Sequence, residues 1–304
     1  MKYLIIGAGG TGGALGAYLA RGGKDVTLIA RGAHLEAIQA RGLRVVSAEN
    51  DFTVSPAAAD TEHYEGKPDV VFVCVKGYSL EALIPFLERI TDGHTVVIPL
   101  LNIYGAGGRL QQRLPGTPVM DGCIYIASEI QSPGCILMRG EILRVVFGPR
   151  APEESLPVLK RIEAELNECS VRGILSENIR RDALRKFAYV SPQGACGAYY
   201  DVAAGAMQRP GPYRDCFAAL VGEIVLLAGA MGIRFEGDLV RQHLAILDAL
   251  EPEMTTSMQR DLKAGGPSEL DGLVCEVVRM GERYGVELPE YRKIAAELAR
   301  RGLR

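Results

Sequence analysis

The sequence predicts an α/β protein in which an N-terminal Rossmann-type, doubly wound parallel sheet is followed by a second, all-helical C-terminal domain. Three observations predict it. Short β-branched runs alternate with helix-period segments through the first half, a glycine pattern GAGGTG follows the first of those runs, and after residue 153 the β-rich runs stop. A chain of 304 residues suits two domains, expected at 1–168 for the dinucleotide-binding part and 169–304 for the helical substrate part.

The first-half runs are YLII (3–6), DVTLIA (25–30), DVVFVCV (69–75), HTVVIPL (94–100) and ILRVVFG (142–148). Strands this apolar are buried on both faces, as in a parallel sheet covered by helices. Helix candidates at 10–22, 33–41, 79–90 and 104–114 lie between most of them. In the second half, 153–167, 177–200, 213–231, 236–249, 268–284 and 289–302 carry the helical period. Within 268–284, Ser268 and Asp271 have the spacing of a capping box.

Composition narrows the function classes. With 48% hydrophobic and 23% charged residues the chain reads as a soluble globular protein, and a net charge of -3 without a basic stripe argues against nucleic acid as a partner. The apolar start is interrupted by glycines after four residues, too short for a signal peptide or membrane span. Seven scattered cysteines without metal-ligand spacing read as buried thiols in a reducing compartment. A cytoplasmic protein with no metal and no membrane partner is expected. A homodimer is allowed but not specified by the sequence.

Gly7, Ala8, Gly9, Gly10, Thr11 and Gly12 fit GxGxxG in its proper setting, after a strand and before a helix rich in small residues. Gly7 permits the tight turn, Gly9 lets the backbone approach a pyrophosphate, and Gly12 allows close helix–strand packing. The helix N-terminus adds amide donors and a positive dipole end. NAD-preferring folds carry an acid at the tip of the second strand. Here that strand is followed by Arg31, whose guanidinium matches a 2'-phosphate in charge and geometry, so NADP(H) is the predicted cofactor. Lys76 and Asn102 follow later strands at the edge where such sheets bind ligands. Each also has a plainer reading, Lys76 as a solvated loop lysine and Asn102 as a turn former.

Lys186 departs from the helical pattern around it. At about 100° per residue from Ile179, Ala183, Phe187 and Val190 fall near 40°, 80° and 20°, and Lys186 near -20°, on the same arc. A lysine there is costly unless it is paired, faces polar space or snorkels along its stem. Ketone reduction supplies a use: charge builds on the oxygen, and a lysine can surrender a proton to it. Glu269 precedes an apolar helix face, where an acid serves the helix dipole or holds a nearby lysine in its charged form.

Taken together, GAGGTG, LIARGAHLEAIQARGL, CVKGY, NIRRDALRKF and TTSMQRDLKAGGPSELD resemble the ketopantoate reductase (2-dehydropantoate 2-reductase) family, in order and across essentially the whole chain. The resemblance implies NADPH-dependent reduction of 2-dehydropantoate to pantoate, in the pathway to pantothenate and coenzyme A. It implies that Gly7 to Gly12, Arg31, Lys76 and Ala127 bind NADP(H), and that Asn102 touches cofactor and substrate. It further implies that Lys186 donates the proton, and that Ser257 and Glu269 complete the site, Glu269 beside both cofactor and reaction.

The departures lie on the substrate side. Val190 and Gly194 stand where the family carries asparagines one and two turns beyond the lysine, Ala204 replaces another, and Val274 stands where one commonly follows ELD. Pro192 is expected to bend or end the helix after Val190. Two alternatives follow: a reductase of the same fold acting on a more apolar 2-oxo acid, or a non-catalytic NADPH-binding sensor.

Overall fold

The computed structural model describes residues 1–303. The chain divides into two compact units: Met1–Leu101 with Gly105–Ile179, and Asn102–Tyr104 with Arg180 onward. In the first unit the order is β1 (Lys2–Ile6), α1 (Gly10–Arg21), β2 (Asp25–Ile29), α2 (Gly32–Arg41), β3 (Leu43–Val46), β4 (Asp51–Val54) and β5 (Ala57–Ala59). There follow β6 (Val70–Val73), α3 (Ile84–Ile90), β7 (Val96–Pro99), α4 (Ala106–Arg113), β8 (Asp121–Tyr125), β9 (Ser128–Ser132), β10 (Cys135–Met138), β11 (Arg144–Gly148), α5 (Val158–Glu168) and β12 (Arg172–Leu175).

The central sheet is β5-β2-β1-β6-β7, parallel throughout. β1, β6 and β7 are buried nearly end to end, as their apolar runs require. Strand order reverses at β1, which pairs with β2 on one side and β6 on the other. The loops after β1 and β6 therefore meet at a topological switch point, where sheets of this kind bind ligands.

Two smaller sheets were not foreseen: β4-β3-β10-β9 and β12-β11-β8. The run ILRVVFG, expected in the parallel sheet, forms β11 and pairs antiparallel with β8. Those two strands bracket the β9–β10 hairpin, so the chain has reversed direction between them. β12 pairs in parallel with β11. That pairing holds residues 169–179 in the first unit, and the division falls after Ile179 rather than after 168.

The second unit is helical: α6 (Ile179–Tyr200), α7 (Ala204–Gln208), α8 (Pro212–Ala230), α9 (Leu239–Asp248), α10 (Ser257–Lys263), α11 (Glu276–Tyr284) and α12 (Pro289–Arg300), with a π-helical turn, Asp271–Cys275, leading into α11. α6 runs through Pro192 to Tyr200 instead of ending there. A proline offers no amide to the carbonyl four residues back, here that of Ala188, and His243 Nδ1 donates to that carbonyl at 3.2 Å. The capping box forms at Thr256 and Gln259, not at Ser268. The Ser268 hydroxyl accepts from the Leu270 amide at 3.2 Å, and the Asp271 carboxylate is paired with Arg279.

Of the seven cysteines, Cys74, Cys135 and Cys275 are only half-buried. Among the described residues, no helix is long and apolar enough to cross a membrane.

Candidate active site

In the first unit the glycine loop joins β1 to α1. Gly7 has φ +93°, and a Cβ there would lie 3.0 Å from the Cys74 carbonyl oxygen. A Cβ on Gly12 would run into the Gly7 carbonyl and sit 2.8 Å from Cys74 Cβ. Gly10 is equally constrained, by Ser128 at 2.7 Å and Glu129 at 2.9 Å, a contact the sequence did not disclose. Gly9 alone of these four has nothing within 4 Å of an added Cβ. The loop is thus packed on its protein side and open at Gly9, and the amides of the first turn of α1 have no intrahelical acceptor.

Arg31 is the exposed N-cap residue of α2, just beyond β2. Lys76 follows β6 and caps a short 3-10 turn, Gly77–Ser79. Ala127 is exposed between β8 and β9, next to the Ser128 backbone that packs on Gly10. A cofactor with a pyrophosphate and a 2'-phosphate fits this set: amide donors at an open glycine, a helix dipole and a guanidinium.

The second unit holds the other candidates. Lys186 Nζ donates to Asn102 Oδ1 at 2.8 Å. Asn102 follows β7 in sequence yet groups with the helices, and the reason is the pair after it. Ile103 is buried and fills the space left by Gly272, while the Tyr104 ring lies 6.1 Å from Phe187 and its hydroxyl 3.4 Å from the Arg180 carbonyl. Ile103 and Tyr104 thus anchor Asn102 beside the lysine.

On α6 the fully buried face is Leu184, Phe187, Ala188 and Ser191. Lys186 shares a half-buried flank with Ala183 and Val190, so it stands beside the core face rather than on it. Ser257 opens α10, whose first turn packs on the same helix: a Cβ on Gly194 would lie 3.1 Å from Met258 Cε, and one on Gly197 2.5 Å from Gln259 Cδ. Gly194 is therefore a helix-packing site, and the buried Met258 occupies the space its missing side chain leaves. Ala204 is fully buried. Glu269 is 3% exposed and sits just before the π-helical turn, its carbonyl accepting from the Leu273 amide at 2.9 Å. Turns of this kind recur at functional sites, and sequence periodicity gives no sign of them.

The model of the family described as ketopantoate reductase PanE/ApbA matches residues 3–152, and that of its C-terminal domain matches 178–301. The chain belongs to the ketopantoate reductase family. Homologues in this family are NADP-dependent oxidoreductases. The chain is 29% identical to a 2-dehydropantoate 2-reductase of Mesorhizobium japonicum, over 99% of its length and 97% of the relative's. It is 26% identical to an uncharacterized oxidoreductase, YkpB, of Bacillus subtilis, over 98% of both chains. A crystal structure of a PanE/ApbA family ketopantoate reductase from Ralstonia eutropha, 26% identical, superimposes with a TM-score of 0.89, covering 98% of this chain and 97% of the other.

Proposed function

We propose that this chain reduces a 2-oxo acid with NADPH, the leading substrate being 2-dehydropantoate, converted to pantoate on the route to pantothenate and coenzyme A. The carrying observation is the 2.8 Å bond from Lys186 Nζ to Asn102 Oδ1 in a chain of the ketopantoate reductase family. Gly7 to Gly12, Arg31, Lys76, Asn102, Ala127 and Glu269 hold the cofactor, which supplies the hydride when bound. Cofactor binding falls mainly to the first unit and substrate binding to the second.

As the carbonyl carbon is reduced, negative charge develops on its oxygen, and the Lys186 ammonium stabilises it and then gives up a proton. Arginine, which does not deprotonate in proteins, could not complete that step. Asn102 takes one of the three ammonium donors and so fixes the direction of the rest. Ser257 binds substrate. The Glu269 carboxylate favours the charged form of the amine before each turnover.

A second reading, a more apolar 2-oxo acid as substrate, is favoured by one set of observations. Val190 lies one turn beyond Lys186, Gly194 is filled by Met258, and Ala204 is buried, so no amide is offered at those positions. NADPH absorbance followed with 2-dehydropantoate, smaller 2-oxo acids and aryl or branched ones tests both readings. Oxidation with 2-dehydropantoate at the highest kcat/KM supports the first, preference for an apolar acid the second, and NADPH binding without oxidation by any of them overturns both.

A further inference from the structure

His34 stands in the first turn of α2, three residues after Arg31, and both of its ring nitrogens are engaged. Nδ1 lies 3.1 Å from the Gly134 amide nitrogen, and Nε2 lies 2.8 Å from the Ala8 carbonyl oxygen. An amide can only donate and a carbonyl only accept, so Nδ1 is the acceptor and Nε2 carries the proton. A neutral imidazole has one of each. Burial holds the ring below its ordinary pKa, in keeping with that neutral form.

The two partners belong to different segments. Gly134, at φ +76°, turns the β9–β10 hairpin, and the neighbouring Pro133 carbonyl accepts from Arg41 on α2 at 2.7 Å. The other end of that hairpin packs on Gly10 through Ser128 and Glu129. Ala8 lies inside the phosphate loop, and its own amide donates to the Ile29 carbonyl at 3.0 Å. The peptide from Ala8 to Gly9 is planar and trans, with its carbonyl and amide pointing in opposite directions. Pinning the Ala8 carbonyl therefore also sets the direction of the Gly9 amide, at the one glycine of the loop open to a ligand.

We propose that His34 is a positioning residue of the dinucleotide site: its Nε2–H, held by the Gly134 amide at Nδ1, aims the Gly9 amide at the pyrophosphate and fixes the spacing between the phosphate loop and Arg31. The proposal rests on the reading that NADPH binds here. His34→Gln carries an amide donor at the reach of Nε2, whereas His34→Asn reaches only to the level of Nδ1. His34→Ala keeps neither.

Two readouts are taken on all three variants: hydrogen exchange of residues 7–13 in the protein without cofactor, and NADPH affinity by fluorescence titration. His34→Asn and His34→Ala are expected to exchange faster and to bind NADPH about ten-fold more weakly, while His34→Gln stays near wild type in both. Wild-type affinity in His34→Ala, or equal losses in the Gln and Asn variants, overturns the proposal. Failure of the wild-type protein to bind NADPH overturns the cofactor reading and the ligand-directed part of this one, and is told apart by an exchange difference that persists between His34→Ala and His34→Gln.

Discussion

Replacing Asn102 by alanine removes the acceptor that directs Lys186 and leaves the lysine itself in place. Ile103 and Tyr104 continue to hold the segment, so the backbone is expected to stay where it is. The lost bond is 2.8 Å long with a charged donor, a class contributing about 1.5–3 kcal/mol. Part of that is recovered when the released ammonium is solvated. At about 1.4 kcal/mol per decade, kcat should fall roughly ten- to a hundred-fold. Asn102→Asp keeps an oxygen at the same reach and adds a negative charge. An opposite charge that close stabilises the ammonium, so the alkaline limb of the rate profile should move to higher pH while kcat falls, because the proton is released less readily. Steady-state NADPH oxidation, with kcat and KM resolved from neutral to alkaline pH, reads both effects. An Asn102→Ala enzyme within about twofold of wild type in kcat, or an Asn102→Asp profile superimposable on wild type, would refute the reasoning.

Gly12→Ala should lose NADPH binding and about 1–3 kcal/mol of stability, because the new Cβ meets the Gly7 backbone carbonyl and Cys74 Cβ; titration and thermal melts check this. Arg31→Ala should weaken NADPH at least ten-fold while leaving NADH nearly unchanged, since only the former carries the 2'-phosphate; equal losses for both cofactors would remove that role. Burial pushes His243 down to about 4 from 6.5. As pH falls below the unfolded value the unfolded chain takes up a proton that the folded one refuses. Stability is therefore constant above about pH 6.5 and falls between there and pH 4, by up to about 3 kcal/mol. Urea unfolding of wild type and His243→Asn at neutral and acidic pH should show a shallower pH dependence in the variant.

The parts of the fold read correctly from sequence are those whose chemistry is local. The runs at β1, β2, β6 and β7 are short, β-branched and mostly apolar, and the glycine spacing encodes its own turn, so both could be read in place. Long-range pairing could not. β10 joins β3 in parallel from some ninety residues away, the neighbouring β9 is the short and mostly polar SEIQS, and β12 shifted the unit boundary by pairing with β11. On α6, the periodicity identified the arc carrying Lys186, but which arc is deepest depends on what packs against it. Leu184, Ala188 and Ser191 took the core and left the lysine on a half-buried flank. Gly194 illustrates the same limit. Read alone it is a missing amide, and only the approach of Met258 makes it a packing position. The partnership of Asn102 with Lys186 spans 84 residues and depends on Ile103 and Tyr104, whose packing on Gly272 and Phe187 no local pattern announces.

The central claim is that Lys186 is the proton donor, and Lys186→Ala tests it most directly, measured as single-turnover NADPH oxidation alongside NADPH binding in the same preparation. Turnover is predicted to fall by about a hundred- to ten-thousand-fold, with NADPH affinity within about twofold of wild type. An alanine variant that oxidises NADPH at close to the wild-type rate would contradict the account.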